Sequence, residues 1–125
     1  MNKQEYLQYI LDTYGVEPEY LWENAPTAYA LRHANNRKWF GCGMTVSGKV
    51  LGFDSDAMFD IIDLKADPLM IGSLRMTDGI LPGYHMNKNH WLTVVLDGRT
   101  EDALLLQLTE ESYRITAPKI KKKKP

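Results

Sequence analysis

Residues 81–98 read LPGYHMNKNHWLTVVLDG, and the rest of the fold is read outward from this stretch. Its second half, WLTVVLD at 91–97, places Leu92, Val94 and Leu96 on one side of an extended chain, the period-two pattern of a strand with one buried face. The first half, HMNKNHW, crowds His85, Lys88, His90 and Trp91 among asparagines. Those residue types suit either a contact surface or a well-bonded turn leading into the strand. After Gly98, Thr100 is a good helix N-cap, and Glu101 and Asp102 stand in the first turn, where the helix dipole favours anions. Leu104, Leu105 and Leu108 then give that helix a stripe for burial.

Working outward, residues 2–14 form an amphipathic helix with Leu7, Ile10, Leu11 and Tyr14 on one stripe, capped by Gly15 and stopped before Pro18. TAYALRH (27–33) and WFGCGMTV (39–46) read as strands joined by ANNRK. Asn35 and Asn36 tolerate the left-handed backbone of a tight turn, which puts Arg37 and Lys38 near a hairpin tip. FDIIDLKA (59–66) reads as another strand. Asp67-Pro68 breaks it and opens a short helix to about Met76, with Pro68 at its first position. A short strand is expected around 80–84, and Pro118 stops the last helix. Helices outside an antiparallel sheet make an α+β fold, a two-layer sandwich with the N- and C-terminal helices on one face. One domain over 1–117 and a disordered lysine-rich tail over 118–125 complete the expected organisation.

The composition limits the function classes. The chain has 125 residues, is 44% hydrophobic, and contains a single cysteine, Cys42. It therefore forms no internal disulfide and assembles no cysteine-rich zinc site. Its N-terminus has the pattern of neither a signal nor a transit peptide. No apolar run reaches the roughly 18 residues of a membrane span, so a cytoplasmic protein without membrane contact is expected. Basic side chains number 15 against 16 acidic ones. Five of the lysines lie in the last seven residues, so residues 1–118 carry 10 against 16, or −6. The charges are segregated, however. Residues 25–51 hold Arg32, Arg37, Lys38 and Lys49 without an acid, and residues 79–96 hold Lys88 with His85 and His90, again without an acid.

No nucleophile elbow, phosphate-binding loop or dinucleotide fingerprint occurs. Cys42 stands between glycines on a strand with no base beside it, so a non-enzymatic protein with no cofactor is expected. DSDAMFD carries Asp54, Asp56 and Asp60 but lacks the glycine and distal glutamate of a calcium loop. His33, His85 and His90 would need loops to bring them together as metal ligands. Gly41 and Gly43 leave one sheet face bare, room for a packed helix or for a groove flanked by Trp39 and Tyr29.

The run Asn87, Lys88, His90, Trp91, followed by Leu96-Asp97-Gly98 and by Ser112-Tyr113 near the end of the last helix, resembles the MmcQ/YjbR family of small bacterial proteins. The resemblance extends from the N-terminal helix to about Ile115. It implies a frataxin-like (CyaY-like) fold and DNA binding through a double wing of two projecting hairpins. By the same analogy Glu5, Asp12, Glu17 and Glu19 would be weak iron ligands. On the double-wing expectation, Arg32, Arg37, Lys38, Lys49, Lys88 and His90 contact phosphates while Trp91 or Trp39 stacks on a base. The lysine tail adds sequence-independent attraction to DNA. The competing expectation is a protein- or small-ligand-interaction domain that works through the groove near Trp39, with an unknown partner. Metal binding ranks third.

Overall fold

The computed structural model describes residues 1–118; the lysine-rich segment named above lies, from residue 119 onward, outside them. Helix α1 (Lys3–Tyr14) leads to strands β1 (Tyr29–Arg32) and β2 (Trp39–Ser47). A 3₁₀ turn (Gly48–Leu51), β3 (Met58–Lys65), α2 (Pro68–Leu74), β4 (Ile80–Pro82), β5 (Trp91–Val95) and α3 (Asp102–Thr116) complete the order. The five strands form one antiparallel sheet in the order β1-β2-β3-β5-β4. The α+β class and the placement of both terminal helices on one face are as the sequence implied. No described helix is long and apolar enough to cross a membrane.

Local chemistry explains the element ends. Asn2 and Glu5 form a reciprocal capping box at the start of α1, and Gly15 ends it in the left-handed region at φ 66°. Asp67 accepts from the Leu69 N–H and Pro68 takes the first position of α2. Thr100 is not the cap of α3. The helix starts after Glu101, and the Thr100 hydroxyl instead donates to the Asp78 carbonyl at 3.0 Å. This bond fastens the β5–α3 connection to the turn before β4. The fourth strand stops at Pro82 and α2 at Leu74, both shorter than the sequence reading.

The core lies between the sheet and the α1/α3 layer. Tyr29 and Leu31, Ile62 and Leu64, and Leu92 and Val94 face Tyr6, Ile10, Leu105 and Leu108. The two helices are joined by polar and aromatic contacts. The Tyr6 hydroxyl lies 2.8 Å from the Thr109 hydroxyl, which itself donates to the Leu105 carbonyl, and the Tyr14 and Tyr113 rings stack at 4.3 Å. Gly41 and Gly43 fall on this helix-facing side, paired with Leu31 and Tyr29. The space over Gly43 is filled by the Tyr29 ring, so the expected groove between Trp39 and Tyr29 does not exist on the glycine face.

A bulge explains where Trp39 goes instead. Leu31 pairs with Gly41, but Arg32 pairs with Trp39, leaving Phe40 as the extra residue. Phe40 turns into the core against Tyr14, His33 and Tyr113. Trp39 takes the opposite, open face, where it meets Trp22 edge-to-face at 5.4 Å.

Ser112 locks the layers together. Its hydroxyl donates to the Phe40 carbonyl at 2.6 Å and accepts from the Lys65 N–H at 2.9 Å, so one α3 side chain bridges β2 and β3. Ser112→Ala strands both backbone groups. At about 1–3 kcal/mol for each buried polar group left unsatisfied, the variant is expected to lose about 3 kcal/mol of stability. A urea denaturation midpoint close to wild type would contradict this role.

Candidate nucleic-acid interface

The antiparallel registers send both outer hairpin loops out of the same end of the sheet. The β1–β2 connection, residues 33–38, follows Arg32, and the β4–β5 connection, residues 83–90, leads into Trp91. Lys65 at the end of β3 pairs with Trp91 between the two loops. Arg32, Arg37, Lys38, Lys88, His90 and Trp91 therefore share one end of the sheet. Lys49 does not: it sits in the 3₁₀ turn after β2, at the opposite end, and leaves the group in which the sequence reading placed it.

The cations at this end differ in what they already hold. Arg37 bonds Glu19 at 2.6 Å and Arg32 approaches the same carboxylate at 3.3 Å. The Arg37 bond, with both positive charges nearby, holds Glu19 below its ordinary carboxylate range. Lys88 donates to the Gly83 carbonyl at 3.1 Å, closing its own loop. Lys38 and the His90 side chain are exposed. Trp91 is half-buried and packs close to Gly83, where an added Cβ would meet Trp91 atoms at 2.9 Å.

Within the second loop, HMNKNHW is a hydrogen-bonded lead-in to β5. The Asn87 side chain accepts from the Asn89 N–H at 2.9 Å, and the Asn87 carbonyl accepts from His90 and Trp91 at 3.1 and 3.0 Å. The His90 carbonyl accepts from Ala66 at 2.9 Å. The asparagine is thus the turn's scaffold, while Lys88 and His90 lie on its outside. The first loop has a similar anchor: Asn36 donates to the Thr116 carbonyl at 3.0 Å, and its own oxygen accepts from Lys38 N–H. Behind it, the His33 ring is bonded to the Thr116 hydroxyl at 2.8 Å, and burial depresses its pKa. His33 is thereby a structural core residue. Among the described residues no three His, Cys, Asp or Glu side chains come together as a metal-ion cage.

A groove of about 690 Å³ occupies the open face of the sheet, lying between the 22–28 segment and the second loop. Trp22 and Trp39 line one side, and Tyr84 and His85 the other, with Cys42, Met44 and Asp63 beneath. Asp63 is completely buried. One of its oxygens accepts from the Thr93 hydroxyl, which accepts in turn from the Tyr84 N–H at 2.8 Å. The other has no partner among the described residues. Burial pushes the Asp63 carboxyl up to about 7, against the opposing pull of Thr93, the Tyr84 backbone and the Lys88 charge. Burial likewise pushes the neighbouring Cys42 thiol up to about 12, with Asp63 adding to the effect, so the thiol stays protonated and unreactive at neutral pH. Asp63 was not singled out from the sequence. Its only signal there is its place between Ile62 and Leu64, and Asp60 and Lys65 in the same strand make a charged residue unremarkable.

Comparison with known proteins agrees with this architecture. The chain is similar to the uncharacterized protein YyaQ of Bacillus subtilis, 36% identical over 116 residues that span 93% of this chain and 98% of YyaQ. It is 37% identical over 54 residues to the uncharacterized protein YjbR of Escherichia coli K12, spanning 42% of this chain and 46% of that protein. A crystal structure of a Pseudomonas syringae protein superposes with a TM-score of 0.91 at 38% identity, covering 94% of this chain and all of that one (100%). A Deinococcus radiodurans crystal structure shares the fold at a TM-score of 0.69 and 24% identity, over 92% of this chain and 78% of its own. The sequence profile of the YjbR family matches residues 11–115. That span takes in both hairpin loops and the Ser112-Tyr113 pair, and the chain belongs to the YjbR family.

Proposed function

We propose that the protein is a non-catalytic binding domain that grips the backbone of nucleic acid with its two hairpin loops, residues 33–38 and 83–90. The observation that carries this reading is their common exit from one end of the sheet. The midlines of the β1/β2 and β5/β4 pairs are three strand spacings apart, or about 14 Å at roughly 4.8 Å each. That separation is comparable with the width of a DNA major groove, about 12 Å. Arg37 and Lys38 on one loop and Lys88 and His90 on the other would meet phosphates on either side. Arg32 acts from behind through the shared Glu19, and Trp91 supports the second loop. The −6 charge of residues 1–118 makes such binding weak and strongly dependent on salt.

Fluorescence anisotropy with a ~20-base-pair duplex across a salt series tests this, using the chain ended at Pro118. Lys38→Ala and Lys88→Ala are each expected to weaken binding and to flatten the logarithmic salt slope by about 1. Lys49→Ala is expected to do neither. Loss of all affinity on removing the lysine-rich segment, or an equal effect from Lys49→Ala, would refute the two-loop reading.

A further inference from the structure

From the groove on the open face we infer a second, separate binding site, for a planar heteroaromatic ring that presents an N–H donor to Asp63. Three observations converge on that chemistry. The first is the aromatic lining. Trp22 and Trp39 meet edge-to-face on one side, and Tyr84 and His85 lie 4.1 Å apart, centroid to centroid, on the other. Their π-faces and edges suit a flat ring inserted between them. The second is the apolar floor of Cys42 and Met44; methionine adapts its shape and favours aromatic contact.

The third is the unpaired oxygen of Asp63. A fully buried carboxylate oxygen without a donor is costly unless something supplies one. The Thr93 hydroxyl cannot, because it already donates to the other oxygen. Cys42 offers at best a weak S–H donor, and no donor among the described residues reaches the orphan oxygen. A ring N–H or exocyclic amino group would satisfy it. An anionic group would not, since the groove is lined by no lysine or arginine. His85 adds to the case for a built site: it holds the left-handed region at φ 58°, a conformation non-glycine residues seldom adopt, and its ring thereby lines the groove. The ring could be a free metabolite-sized molecule or an unstacked base of a nucleic acid strand, and both carry the same donor edge.

Adenosine and purine riboside differ only in the exocyclic amino group, so they isolate the donor. Calorimetric titration at pH 8.5, where the Asp63 carboxyl is ionised, with the Trp22 and Trp39 indole N–H signals followed by NMR, is expected to show adenosine binding at least tenfold more tightly, the effect of one charge-assisted hydrogen bond. In Asp63→Asn the Thr93 hydroxyl keeps the carbonyl oxygen, and the amide N–H₂ then faces the groove. Both nucleosides carry the same ring acceptors, so the preference for adenosine should disappear. Trp39→Ala, at a half-buried position that leaves the core intact, should weaken both ligands without changing their ratio. A single-stranded oligo-dA that shows the same Asp63 dependence while free adenosine does not would assign the ring to a nucleic acid base. No binding of either source, or binding that ignores the amino group, would overturn the inference. Duplex binding that responds to Lys38 but not to Asp63 would leave the two-loop reading standing while this one failed.

Discussion

Gly43→Ala is expected to destabilise the protein by about 3 kcal/mol or more, at the upper end of the 1–3 kcal/mol that overpacking a core commonly costs. A Cβ at residue 43 would lie 2.1 Å from the Tyr29 Cζ and 2.2 Å from its hydroxyl oxygen. The Tyr29 ring is 1% exposed and is wedged beside Tyr20 at 5.7 Å, so it has nowhere to turn. Gly41→Ala is the control. Its Cβ would meet the Leu31 and Ile62 methyl groups at 3.0 and 3.3 Å, contacts that a few tenths of an ångström relieve, and the cost should be about 1 kcal/mol. Tyr29→Phe sharpens the test, because the Tyr29 hydroxyl is buried without a partner. Its removal should be neutral or stabilising, and it should recover part of the Gly43→Ala loss, since it deletes one of the three clashing atoms. Chemical denaturation of the wild type, the three single variants and the Tyr29→Phe/Gly43→Ala double variant reads all of this. Equal stabilities for the two glycine variants would show that the ring does not fill the space over Gly43.

Asp63→Asn is expected to change how stability depends on pH. Burial raises the Asp63 carboxyl from its ordinary 3.8 to about 7 in the folded chain. The folded state therefore holds a proton that the unfolded chain releases anywhere between these values. Stability from this group is present at about pH 4, falls as pH rises toward 7, and is level beyond that. At about 1.4 kcal/mol for each pH unit, the loss is on the order of 4 kcal/mol. The substituted amide does not titrate, so the wild type should be closest to the variant near pH 4 and fall behind it by several kcal/mol near pH 8. Other groups do not mimic this pattern in the difference between the two proteins. The depressed pKa of His33 works in the opposite direction, removing stability as pH falls below about 6.5. Glu19 and Asp97, both lowered by their arginine partners, lose their contribution only when pH falls below the ordinary carboxylate range. Thermal melts at pH 4, 6 and 8 suffice, and parallel curves would mean that Asp63 is ionised and satisfied in the fold.

The strands and helices were legible because their periodicity is local. Leu92, Val94 and Leu96 alternate, α1 carries its stripe, and Pro68 and Pro118 mark ends that no tertiary contact overrides. Two features were hidden because they depend on partners far along the chain. The cap position of α3 shifted because Thr100 found the carbonyl of Asp78, 22 residues earlier. The face on which the groove opens depended on Phe40 being left out of the β1–β2 pairing, and no pattern of residue types announces a bulge. The family signature was legible as a pattern but not as a set of roles. Asn87 and Ser112 turn out to hold backbone groups, and Tyr113 stacks on Tyr14 and contacts His33 and Phe40. Lys88 donates its amine to the Gly83 carbonyl of its own loop. An acid in a strand normally marks the solvent side, whereas Asp63 lies fully buried at the bottom of the groove.

The uncounted residue at Phe40 also has a mechanical meaning. Along an unbroken strand, neighbours alternate and two adjacent aromatics serve opposite sides independently of one another. Here the alternation breaks after Phe40, which shares the helix-facing side with Gly41, so Phe40 is held by the rings of α1 and α3 while Trp39, one peptide bond away, forms the wall of the open cleft. The cleft wall and the core are therefore one residue apart, and the Phe40 carbonyl held by Ser112 fixes the backbone on which Trp39 stands.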